Sequence, residues 1–280
     1  MSTDVLDPPA PPVTAGDSPA ATLARFMGDL IAGRIRVVDL TETLSSTFPT
    51  IILPPELGQC WPFRLEEISR YDERGPSWYW NNFSMGEHTG THFDAPIHWV
   101  SGKDLPNNTT DTIPVERFIA EACVIDCSAQ CQEDPDWLLT IEGILEWEAE
   151  HGRIPPRSWV FMRTDWSKRR DPVEYLNMGE GGAHTPGPDA EVVPWMINER
   201  DVHGFGTESV GTDAGQAFHF SPPLPCHYHM HKNNRYGLQC MTNLDQLPPR
   251  GAVILSAPLK IEQGSGSPTR VLALVPGSAG

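Results

Sequence analysis

Long hydrophobic runs are missing from this 280-residue chain. No stretch approaches the roughly 18 consecutive apolar residues that a membrane-spanning helix needs, so no membrane association is expected. Positive charge is scarce: 20 lysines and arginines stand against 37 aspartates and glutamates, a formal net charge of −17. That balance argues against a general affinity for DNA, RNA or an anionic membrane and suits a small or cationic ligand. Cysteine is sparse, and Cys60, Cys123, Cys127, Cys131, Cys226 and Cys240 form no C-x-x-C pair. Reduced thiols are the simplest reading, with the evenly spaced Cys123, Cys127 and Cys131 as small buried hydrophobes. The opening "MSTDVLDPPAPPVTAGDSP" is acidic and proline-rich and lacks the apolar segment of a signal peptide, so a cytoplasmic location is expected. No G-x-S-x-G occurs, which weakens a route through a serine nucleophile.

What is present suits one sizeable globular domain: hydrophobic residues make up 39% and charged residues 20%. Residues 1–17 read as a disordered tail and 18–280 as a single domain. Ser18 and Pro19 form a helix start, with Leu23, Phe26, Met27, Leu30 and Ile31 at helical spacing behind them. Residues 34–41 and 77–85 read as strands, and 42–76 between them as irregular and proline-rich. Further strands are expected over 122–128, 158–164, 202–209, 251–258 and 271–275. Helices are expected over 141–151, between Thr140 and Gly152, and over 190–200. The alternation predicts a mixed α/β or α+β fold.

The stretch "HTGTHFDAPIHW", 88–99, carries the chemistry. His88, His92, Asp94 and His98 offer imidazole nitrogens and a carboxylate, the donors of zinc and similar divalent ions. In an extended strand His88 and His92 would lie about 13 Å apart, too far for one ion. A regular helix would make them neighbours, but Thr-Gly-Thr forms helix poorly. The chain must therefore bend, and Gly90 permits it. Asp94-Ala95-Pro96 then reads as a helix start, bringing His88, His92 and Asp94 round one ion with His98 just outside it. The plain alternative is a histidine-rich loop with no ligand.

H-T-G-T-H-F-D-A-P-I-H, 88–98, resembles the signature of the metal-dependent cyclase family, which includes bacterial kynurenine formamidases and isatin hydrolases. "CHYHMHKNNRYGLQCMTNLDQLPPRG" at 226–251, "RTDW" at 163–166 and "GTESVGTD" at 206–213 resemble further family segments, and the likeness spans about residues 36–275. The resemblance implies that His88, His92 and Asp94 bind metal and that His98 is the catalytic acid/base. It also implies a swivelling β/β/α fold, a β-barrel-like sheet flanked by helices. The family pattern has a glutamate where this chain has Gln239, and a histidine at His227. A neutral amide adds no charge, so one ion, Mn2+ or Zn2+, is expected on His88, His92, Asp94 and Gln239, as in isatin hydrolase. His227 is then a residue behind the ligands or a substrate contact. His227, His229 and His231 share a face if the segment is a strand, and extra ligands, substrate donors or a merely polar face all remain open. His184, His203 and His219 are read as structural or solvent-facing.

The chemistry expected is hydrolysis of a cyclic amide, an isatin-like lactam or a cyclic imide. The alternatives are a kynurenine formamidase, with two ions, and a non-catalytic ligand-binding protein. Trp61, Phe63, Trp78, Trp80, Phe83 and Trp99 lie near the cluster in sequence. Trp78, Trp80 and Phe83 are expected to bind a flat substrate ring, against a core or interface role. The resemblance further implies a homodimer or homotetramer, with the 19–32 helix a candidate for exchange between subunits. A small-molecule substrate is the expected partner, with neither nucleic acid nor membrane.

Overall fold

The structure, a computed structural model, describes residues 18–277; the predicted disordered tail over 1–17 lies outside them. The described residues divide into two compact units, 18–36 with 276–277, and Val37–Val275. The first contains helix α1, Pro19–Ile31, whose N-cap Ser18 accepts a hydrogen bond from the Ala21 amide at 3.2 Å. Its apolar positions Leu23, Met27 and Ile31 are all exposed.

The second unit is built on a curled sheet of nine strands. In chain order the strands of three or more residues are β1 Ile35–Asp39, β2 Arg64–Asp72, β3 Gly75–Ser84, β4 His92–Asp94, β5 Ile119–Asp126, β6 Trp159–Arg163, β7 Gly204–Thr207, β8 Tyr236–Gln239, β9 Ala252–Leu255, β10 Gly266–Pro268 and β11 Leu272–Pro276. The sheet runs β1-β11-β9-β5-β6-β7-β8-β4-β10, and β2 and β3 form a separate hairpin. Its centre, β5 to β8, is parallel, and both flanks are antiparallel.

Alternation along the central strands supplies both faces. Ala122, Val124, Trp159 and Phe161 join one apolar cluster, while Cys123, Ile125, Val160 and Met162 join the other. Helices α2, Ile141–His151, and α3, Val192–Arg200, contribute Ile144, Trp147, Val192, Val193 and Met196 to the second cluster. Thr140 caps α2 and Gly152 ends it, as the sequence predicts. Cys123, Cys127 and Cys131 are buried there as small hydrophobes, and burial raises their thiol pKa values, that of Cys123 to about 11.

One expectation needs correction, and one open reading takes a definite form. Within 42–76, read as irregular, the nine-residue β2 pairs with β3. Its sequence RLEEISRYD is charged and mostly solvated, so it lacks a strand's usual apolar alternation. Residues 225–232, where strand and helix are both open in the sequence, form helix α4, Pro225–Lys232. The three alternating histidines therefore do not share a face; His227 and His231, one turn apart, do.

Candidate active site

Three-residue β4 is the centre of the site. Phe93 points into the first apolar cluster, its ring 5.0 Å from that of Tyr236, so His92 and Asp94 must point the other way. Both neighbouring strands matter to that face. On β8, Gln239 stands opposite His92. On β10, Gly266 stands opposite Asp94, and a Cβ there would lie 2.5 Å from Cε1 of His88. The glycine leaves the space that the His88 ring fills.

The threonines and glycine between the histidines hold the bend. Gly90 has φ of +70°, a left-handed conformation that glycine adopts without strain. Thr89 donates to the Trp61 carbonyl at 2.7 Å. Thr91 donates to the Cys240 carbonyl at 2.5 Å and accepts from the Glu42 amide at 2.9 Å. The loop is tied to three separate segments, and both buried hydroxyls are satisfied. After Ala95, a single 3-10 turn, Pro96–His98, swings His98 back so that its ring stacks on that of His88 at 3.9 Å.

The ring nitrogens of His88 and His92 are oriented from behind. His92 Nδ1 donates to the Gly90 carbonyl at 2.7 Å, which leaves Nε2 with its lone pair facing Asp94 Oδ1 at 3.5 Å. Ser265 donates to Glu87 at 2.5 Å, so its oxygen accepts from His88 Nε2 at 3.0 Å. His88 Nδ1 then faces Asp94 Oδ1 at 2.8 Å. Two acceptors at that distance call for a cation between them, a proton or a metal ion. Gln239 Nε2 donates to Asp94 Oδ2, while Gln239 Oε1, buried, has no hydrogen-bond partner. A buried, unpartnered amide oxygen on the side chain that donates to Asp94, in a cavity also lined by His88 and His92, fits a divalent ion. His88, His92 and Asp94 satisfy the proximity that one ion requires, as do Asp94, His98 and His227.

Electrostatics separates the remaining groups. Burial opposes ionisation of Asp94, but the surrounding imidazoles, His98 first, hold its carboxyl well below the usual carboxylate range. Burial pushes His98 far below the ordinary histidine value, and His88, His227 and His231 add to this against the pull of Asp94. Burial likewise pushes His92 and His231 to about 4. His227 goes the other way: Asp213 overcomes the burial cost and raises it. Asp213 accepts from His227 Nδ1 at 2.5 Å and from the amides of Cys226 and His227 at 2.7 and 3.1 Å. One carboxylate thus caps α4 and aims His227 Nε2 at Asp94 Oδ2, 3.6 Å away.

All of His88, His92, Asp94, His98, His227 and Gln239 line one cavity of about 950 Å3. Trp78, Trp80 and Phe83, expected to bind substrate, do not line it. They stand on the β2–β3 hairpin, which pairs only with itself, and are 51%, 54% and 62% exposed. Trp99 lines the cavity in their place, its ring 5.0 Å from that of His227. Sequence reasoning had noted Trp99 only as a nearby aromatic; its adjacency to His98 was the available signal. Asp213, Ser265 and Glu87 were not anticipated, although Asp213 ends the 206–213 segment singled out for its family likeness. His231 is buried beside His98, with ring centroids 5.9 Å apart, and His229 lies off that face. His203 is buried and hydrogen-bonded to the Arg117 carbonyl, and His184 pairs with Asp136, both structural placements. Cys226 and Cys240 are buried, and burial raises both thiols.

A family model described as putative cyclase matches residues 38–214. Isatin hydrolase of Roseibium aggregatum is 47% identical over 261 residues, spanning 92% of this chain and 99% of its own length. Among solved structures, isatin hydrolase A from Labrenzia aggregata bound to benzyl benzoate superposes with a TM-score of 0.90 at 58% identity, covering 91% of this chain and 99% of that one. An isatin hydrolase bound to the product analogue thioisatinate superposes with a TM-score of 0.91 at 46% identity, covering 93% and 100%.

Proposed function

The chain belongs to the putative cyclase family, and from that premise we propose that it is a metal-dependent hydrolase opening the C–N bond of a neutral cyclic amide, an isatin-like lactam or a cyclic imide. The observation that carries the substrate class is the cavity wall. Six polar side chains converge at one place, and among the described residues no lysine or arginine lines the cavity. N-formylkynurenine would bring a carboxylate and an ammonium with no opposite charge prepared for the carboxylate. A flat neutral lactam brings only carbonyl and N–H groups, which the histidines can meet.

His88, His92, Asp94 and Gln239 are the proposed ligands of one divalent ion. Two imidazoles, two oxygens and no thiolate suit Mn2+, and Zn2+ binds such donor sets more tightly. The Gln239 amide nitrogen is already committed to Asp94 Oδ2, which disfavours a second ion sharing that oxygen. When bound, the ion lowers the pKa of water and polarises the substrate carbonyl. His98, kept neutral by its surroundings, accepts a proton from the attacking water and delivers it to the departing ring nitrogen. The water oxygen ends on the carbonyl carbon as a carboxylate, whose remaining proton passes to solvent, and the nitrogen stays on the opened product as the amine of a lactam or the amide of an imide. His227, held at Nδ1 by Asp213, presents Nε2 as a donor to a substrate oxygen. Trp99 supplies an aromatic wall beside it.

The same reading treats 18–280 as one functional domain assembled as a homodimer or homotetramer. The exposed apolar face of α1 and the exposed hairpin aromatics support association. Six free cysteines, five of them buried, suit a cytoplasmic protein; no helix among the described residues is long and apolar enough to cross a membrane. The test is metal content by mass spectrometry together with hydrolysis of isatin and of N-formylkynurenine. One equivalent per chain and preferential loss of isatin are expected. Two equivalents with N-formylkynurenine preferred would overturn the reading in favour of a formamidase.

A further inference from the structure

The cavity is larger than its proposed chemistry requires. At about 950 Å3 it sits near the top of the roughly 300–1,000 Å3 range that holds drug-sized ligands. A fused bicyclic lactam is a fragment by comparison and fills a minor part of it. The rest of the wall is apolar and comes from two places. One is the strap 51–57, which contributes Ile52 and Leu57. The other is the region from 176 to 224, which contributes Leu176, Met178 and Phe218. Four of these stay open to water: Ile52 at 52%, Leu57 at 61%, Met178 at 45% and Phe218 at 47%. Large apolar side chains gathered around a cavity and left wet mark a surface that a ligand covers. Among the described residues no cationic side chain accompanies them, so that part of the ligand carries no anionic group.

Resting on the cyclic-amide reading above, we infer that the substrate carries a second, uncharged apolar group, an alkyl or aryl arm on the ring. Ile52, Leu57, Met178 and Phe218 bind this arm and determine specificity. They touch the arm in the ground state and in the transition state alike, so they act on KM rather than kcat.

The experiment uses the metal-loaded protein and isatins carrying hydrogen, methyl, propyl or phenyl on the benzo ring. Burial of each added methylene is expected to raise kcat/KM about three- to fourfold, through KM. Leu57→Asp and Phe218→Asp are then expected to bring the ratio of kcat/KM for propylisatin over isatin back toward one. A loss of folding or metal lowers both substrates together and leaves that ratio in place. A series that is flat or falls with arm size, while isatin itself is hydrolysed, overturns the inference and leaves the cyclic-amide reading standing. If no member of the series is hydrolysed by metal-loaded protein, both fail together. The wild-type series decides the matter even if neither variant folds.

Discussion

Two extended stretches carry dense groups of ring-bearing side chains, and they come to different ends. Strand β4 has three residues, all buried between β8 and β10. The β2–β3 hairpin has far longer strands, pairs only with itself, and leaves Trp78 and Trp80 about half exposed. Alternation works equally well in both, placing His92 with Asp94 and Trp78 with Trp80. What distinguishes β4 is its neighbours. Gln239 stands opposite His92, and Gly266 clears the volume for His88. Periodicity tells which side chains share a face; pairing decides what that face meets.

The sharpest way to test this contrast is to strip chemistry from the β4 side. His98→Ala is expected to lower kcat by about 10²–10⁴-fold while bound metal stays at one equivalent, read by steady-state kinetics beside metal analysis. Gly266→Ala attacks the neighbour rather than the ligand. Its Cβ would meet both His88 Cε1 at 2.5 Å and the Phe93 carbonyl at 2.7 Å, so the ring must move. Metal affinity should fall by about 10–100-fold in a competition titration with a chelating dye, a loss of the size seen when ligand support is disturbed. Gln239→Glu replaces a donor to Asp94 with a second carboxylate. It should raise the metal stoichiometry from one toward two, because the added charge then needs a cation.

A smaller effect is expected at the solvent edge of the cavity. The ribbon formed by Met178–Gly179 and Gly182–Ala183 is followed by His184. Its Nδ1 lies 2.6 Å from Asp136 and its Nε2 3.0 Å from the Glu180 carbonyl. Both partners are acceptors, so both nitrogens must carry protons. The Asp136 hydrogen bond, then the Glu180 carbonyl, raises the pKa above the ordinary 6.5. The stabilisation is therefore full below that ordinary value and is lost as pH rises through the raised one. Protease nicking near 178–184 should quicken across that interval, and His184→Gln should flatten the dependence. The smallest effect belongs to the hairpin: Trp80→Ala should alter stability by no more than about 0.5 kcal/mol in denaturant titration. A collapse of isatin hydrolysis in Trp80→Ala would instead break the contrast and put the hairpin at a neighbouring chain's site.

Much of the site was legible because its chemistry is local. His88, Gly90, His92, Asp94 and His98 sit within one bend, and chain geometry alone demanded that bend. Thr140 and Gly152 marked α2 because caps are local too. Asp213, Ser265 and Glu87 were not legible. Each acts through a tertiary contact, and an aspartate that caps a helix looks in sequence like any loop aspartate. The hairpin tryptophans, which do not line this chain's cavity, show the complementary reason: nothing in the order of residues says whether an aromatic face will meet a cavity or water. Helix α4 stays open in the sequence because C-H-Y-H-M-H alternates as a strand does, while Pro225 at its first turn and the Asp213 cap favour a helix.

The cysteines, unremarkable as chemistry, give the molecule a natural reporter. Burial raises the thiols of Cys123, Cys127, Cys131, Cys226 and Cys240, which shields them from alkylation twice over, by access and by protonation. Cys60 alone is partly accessible, and it lines the cavity beside Thr89, to whose hydroxyl its sulfur comes within 3.2 Å. A thiol reagent applied to the folded protein should therefore mark a single position. The rate of that marking, slowed whenever the cavity is filled, would measure occupancy without turnover and without a label added by design.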